Sequence, residues 1–62
     1  MESNYRITVI FKDVVIRENF ATKEIAKMAI EELKKLFPKK FISGALEKRG
    51  EWWKVIWVLA NN

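Results

Sequence analysis

The chain contains no cysteine, no histidine and no glutamine. Without cysteine there is no disulfide framework, and without cysteine and histidine together the usual zinc sites are excluded. The same two absences remove every Ser-His and Cys-His nucleophile system. Glycine occurs twice and proline once, so there is no glycine-rich loop to cradle phosphate. No apolar run approaches the roughly 18 residues of a membrane span. No charged segment followed by an apolar one opens the chain in the manner of a secretory signal. The expectation is a soluble cytoplasmic protein with no membrane partner. Abundant Lys, Glu and Ile without the missing residue types is the composition toward which thermophile proteins lean. A designed sequence fits it as well.

What is present is a short chain of 62 residues that is 50% hydrophobic and 32% charged, too apolar for a disordered tail. We read residues 1–62 as one small domain. A domain of this size buries only about 60% of its unfolded surface. Below roughly 70–80 residues, disulfides, metals or oligomerisation commonly supply the missing stability. Here the first two are unavailable, which leaves oligomerisation. The formal charge of +4, twelve Lys and Arg against eight Asp and Glu, permits binding to a polyanion without requiring it.

Hydrophobic periodicity divides the chain into five elements. In "YRITVIF", Tyr5, Ile7, Val9 and Phe11 alternate with Arg6, Thr8 and Ile10, the pattern of a half-buried strand. The phase breaks at Lys12-Asp13. A two-residue turn there pairs Phe11 with Val14, Ile10 with Val15 and Val9 with Ile16, and keeps each cross-strand pair on one face. Lys-Asp is not a preferred pair for such a turn, so the alternative is one long bulged first strand and a βαββ order. Over residues 22–37 the period changes to about 100° per residue. Ile25, Ala26, Ala29, Ile30, Leu33, Leu36 and Phe37 fall in an arc of roughly 140°, opposite a charged face. Thr22 is a suitable N-cap and Pro38 ends the helix. In the last third, a two-residue turn at Arg49-Gly50 pairs Leu46 with Trp53, Gly44 with Val55 and Ile42 with Trp57. Gly50 supplies the positive φ, and Gly44 makes room for an indole or for the helix.

The expected fold class is α+β, in the order ββαββ, with one amphipathic helix on a four-stranded sheet. The stretch "GEWWKVIWV", Gly50 to Val58, is apolar on both faces of its strand. This places the last strand in the middle of the sheet and gives a strand order of 2-1-4-3. That element order resembles the β-grasp folds. The resemblance is of order alone and brings no functional residue with it.

In these registers Ile10, Val15, Phe41, Ala45, Trp52, Ile56 and Val58 lie on the sheet face away from the helix. An open antiparallel face is normally polar, and a contiguous apolar patch usually marks an interaction site. The first functional reading is therefore a non-enzymatic interaction protein that self-associates as a homodimer through this face. A different protein is a further occupant for the same surface. The second reading is a nucleic-acid-binding module. Its candidate contacts are Arg6, Arg17 and Lys54 on the sheet, and Lys34, Lys35, Lys39 and Lys40 at the basic end of the helix. Most of the carboxylates lie on the solvent side of the helix or at strand ends. Helix-surface ion pairs account for Glu24, Glu31 and Glu32. No catalytic residue, metal site, cofactor or small-molecule substrate is expected.

Overall fold

A computed structural model describes residues 3–51 and 54–60 of the chain. It has four strands and one helix in the expected ββαββ order: β1 (Tyr5–Phe11), β2 (Val15–Phe20), α1 (Lys23–Leu36), β3 (Phe41–Lys48) and β4 (Lys54–Ala60). No helix among the described residues is long and apolar enough to cross a membrane.

The first hairpin forms in the register that the apolar phase dictates. Ile10 stands opposite Val15 and Val9 opposite Ile16. The Phe11 N–H closes the turn on the Val14 carbonyl at 2.8 Å. Lys12-Asp13 is thus a turn, and the single bulged strand is excluded. A tie to β3 holds it, since the Lys12 N–H donates to the Lys40 carbonyl at 2.9 Å.

Helix α1 begins as its sequence requires. Thr22 is extended at φ −126° and ψ 151°, and its hydroxyl accepts from the Ile25 N–H, satisfying one of the free donors of the first turn. Its last turn closes through the Phe37 N–H, which donates to the Leu33 carbonyl. The apolar arc is wider than the contact it makes. Ala26 and Ile30 are fully buried, and Ala29 and Leu33 pack beside them. Ile25, Leu36 and Phe37 at the flanks of the arc stay exposed. One helix on one sheet meets it along a line, so only the centre of the arc is covered.

The sheet order is β2-β1-β3-β4, with every neighbouring pair antiparallel. This overturns the 2-1-4-3 order, in which the first and last strands would lie side by side, and with it the resemblance to the β-grasp folds. The central partner of β1 is β3, not β4. The physical reason lies in the small residues of β3. Gly44 sits directly beneath Ile30 of α1, so the helix seats over β3 and β1. Phe41, Leu46, Ile7, Val9 and Phe11 complete the buried core around Ala26 and Ile30. The two apolar faces of β4 belong to an edge strand.

The second hairpin also differs from its expected register. Lys48 stands opposite Lys54, and Leu46, not Ile42, stands opposite Trp57. Before turning, the chain takes one further step along β1, where the Arg49 N–H donates to the Asn4 carbonyl at 2.9 Å. Gly50 does carry the positive φ, at 98°. Trp52 and Trp53, including the expected Leu46–Trp53 pair, lie outside the described residues.

Two bulges reset the faces. Between β1 and β3 the register passes from Ile10–Ser43 to Phe11–Phe41, leaving Ile42 as the extra residue. Between β3 and β4 it passes from Leu46–Trp57 to Glu47–Val55, leaving Ile56 as the extra residue. A bulge shifts the two-residue alternation by one. Phe41 therefore points inward, where its ring meets that of Phe11 edge to face at 6.0 Å. Val55, expected inside, comes to the outer face opposite Glu47.

Candidate interaction surface of the sheet

The ladder registers place the outer face in three rows. Asn19, Arg6, Glu47 and Val55 form the first. Arg17, Thr8, Ala45 and Val58 form the second, and Val15, Ile10, Ser43 and Ala60 the third. The surface is divided. Polar residues fill the corner on β1 and β2, while apolar and small ones run along β4 and across the row nearest the Lys12-Asp13 turn.

Glu47 organises the polar corner. Its carboxylate accepts from the Arg6 guanidinium at 3.3 and 3.2 Å and from the Thr8 hydroxyl at 2.8 Å. Partial burial pushes its pKa up. The hydrogen bonds from Arg6 and Thr8, with the charges of Arg6 and Arg17, outweigh that and hold the carboxyl below its ordinary value. The cluster clamps β1 to β3 across the face of the sheet. Sequence periodicity missed it, because it depends on which strand pairs with β1. With β3 in that place, the outward phases of "RIT" and "LEK" bring Arg6, Thr8 and Glu47 together.

Of the seven residues expected on the outer face, Ile10, Val15, Ala45 and Val58 are there, with Val15 and Val58 about half exposed. Phe41 is not: it is 1% exposed and part of the core. Nor is Ile56, which sits on the β4 bulge and packs against the core with Trp57 and Leu59. Both corrections follow from the bulges, which periodicity cannot locate. Trp52 lies outside the described residues. Val55 joins the surface in their place, half exposed.

The inner face of β4 is only partly roofed. Helix α1 packs on β1, β2 and β3, while β4 lies to its side. Trp57 and Leu59 are half-buried. Above them are lysine side chains: Lys27 Nζ lies 5.0 Å from the Trp57 ring centre, and Lys34 Nζ donates to the Ala60 carbonyl at 3.4 Å. Lysine stems can shelter apolar surface while their charges stay in water. An open groove of about 620 Å³ runs here between α1 and β4, with Met28, Glu31, Lys34 and Leu59 in its lining.

The seven candidate nucleic-acid contacts do not form one surface. Arg6 is held by Glu47 and Arg17 stands across the ladder from Thr8 on the outer face. Lys40 pairs with Asp13 at 3.3 Å, and Lys54 approaches Glu51 at 4.0 Å near the second turn. Lys34 reaches over β4, while Lys35 and Lys39 are at the far end of the helix. No cluster of three or more acidic side chains that could hold a metal ion occurs among the described residues. Comparison with known families, with curated proteins and with solved structures finds no match to this chain.

Proposed function

We propose that the chain is a small non-enzymatic interaction module that works as a homodimer, joined on the β4 side of its sheet. One observation carries this reading: β4 is apolar on both faces yet stands at the sheet edge, beyond the cover of α1. Val55 and Val58 are half exposed on the outer side, and Trp57 and Leu59 are half-buried on the inner side. Apolar surface of this kind on a small chain is stabilised by a partner. Support for a non-enzymatic role comes from Glu47, whose carboxylate is turned to the sheet surface and engaged by the Arg6 and Thr8 donors in holding β1 to β3. The nucleic-acid reading has less support, because its basic side chains are dispersed and several already face carboxylates.

Sedimentation equilibrium across micromolar to millimolar concentration tests the proposal. The expected mass approaches twice the 7.4 kDa of the chain. A mass of one chain throughout that range rejects it.

A further inference from the structure

Resting on the self-association reading, we infer that the dimer forms by antiparallel pairing of β4 with β4 of a second copy, which joins two four-stranded sheets into one of eight strands. The two edges of the sheet are unlike. β2, at one edge, carries Arg17, Glu18 and Asn19 in its middle. Charged side chains in an edge strand are a common defence against pairing with another chain. β4, at the other edge, reads KVIWVLA over seven residues, with its one charge at the first position and neither proline nor glycine. A bulge at Ile56 interrupts the first half of β4, and Lys34 reaches the Ala60 carbonyl. The stretch Trp57-Val58-Leu59 between them keeps a regular ladder to β3 and carries no charge, proline or glycine, so it is the part of this edge open to pairing.

A second copy fits this edge better than an unrelated strand would, because β4 is complementary to itself. With the twofold axis at Val58, Val58 faces its own counterpart, and Trp57 faces Leu59 of the other copy on both sides of the axis. Trp57 and Leu59 both lie on the helix side, across from Leu46 and Gly44, while Val58 lies on the outer side across from Ala45. Each pair therefore shares a face, as cross-strand partners must. Charge selects the same direction. Antiparallel pairing sets the two Lys54 ammonium groups at opposite ends, on the order of 25 Å apart along the strands. Parallel pairing would set them side by side, about 5 Å apart. The body of α1 packs on β1, β2 and β3, and only its Lys27 and Lys34 side chains reach over β4. The incoming strand therefore has flexible lysine stems to displace, and the partner's Trp57 and Leu59 extend the half-covered inner surface. The contact is isologous and closes on itself. It leaves the charged β2 strands as the two outer edges, and assembly stops at two copies.

The test measures mass together with backbone hydrogen exchange on the unmodified chain at low and high concentration. The expected result is a dimer in which amides of residues 54–60 exchange at least about tenfold more slowly at high concentration, while those of β2 do not change. A dimer with unchanged exchange in residues 54–60 overturns edge pairing and leaves self-association standing. A monomer at every concentration overturns both. Single-cysteine variants give an independent reading, since the chain has no cysteine of its own. Val58→Cys should form an interchain disulfide under mild oxidation, as directly opposed strand positions lie within disulfide reach. Val15→Cys, on the β2 edge, should not. A cross-link through Val15→Cys with none through Val58→Cys overturns the inference.

Discussion

Gly44 and Ile30 touch so closely that a Cβ built on Gly44 would overlap the Ile30 Cγ2. Gly44 here provides space: it lets α1 settle onto β3, and so decides which strand lies beneath the helix. Gly44→Ala forces the helix outward or Ile30 off its rotamer, and overpacking of this kind costs about 1–3 kcal/mol. Removing the obstructing methyl should recover part of that loss. In a double-mutant cycle of Gly44→Ala with Ile30→Ala, followed by urea denaturation, the combined cost should fall short of the two single costs added together. Strict additivity would show that the contact does not set the helix position.

Glu47 ties stability to pH. Its carboxyl sits below the ordinary value of about 4.3, so between the folded and unfolded pKa values the unfolded chain binds more protons. The contribution is fully present above the unfolded value and is lost as the pH falls through the folded one. Chemical denaturation of the wild type and of Glu47→Gln at pH 7, 4.5 and 3 should therefore show a gap between them that narrows toward acid. A gap of constant size would assign the effect to side-chain shape instead of charge.

Gly50 offers a conformational test free of packing effects. Its φ is 98°, and among the described residues nothing lies within 4 Å of where a Cβ would stand. Gly50→Ala should cost about 1–2 kcal/mol, the penalty for an L side chain in left-handed backbone. Gly50→Asn should cost less, since asparagine visits that region more readily. Thermal denaturation of both variants measures the difference.

The local features of this fold were legible in the sequence, because each is written within a few adjacent residues. The break of phase at Lys12-Asp13, the 100° period closed by Thr22 and Pro38, and the outward settings of Ile10, Val15, Ala45 and Val58 all reappear in the structure. What was not legible depends on distant partners. Two apolar faces on β4 suit a central strand and an edge strand equally well, and Gly44 meeting Ile30 across the core seats the helix over β3. The bulges at Ile42 and Ile56 carry no mark in composition, yet they move Phe41 into the core and Val55 out of it. The Arg6–Thr8–Glu47 cluster was likewise unreadable until β3 was known to lie beside β1.

Folding and association should separate at Val58 and Ile30. Val58 is 55% exposed on β4, whereas Ile30 is fully buried. Val58→Lys places a charge at the centre of the proposed contact while removing little from the core, so the monomer should lose no more than about 1 kcal/mol. Ile30→Ala empties a core position and should cost about 2–5 kcal/mol at any concentration. Because a partner that binds only the folded chain raises its apparent stability by mass action, the wild-type melting temperature should climb with protein concentration. Val58→Lys should flatten that climb and leave the dilute melting temperature within about 4–8 °C of the wild type. Ile30→Ala should lower the whole curve and keep its slope. If Val58→Lys instead keeps the slope, the β4 side of the sheet is not where two copies meet.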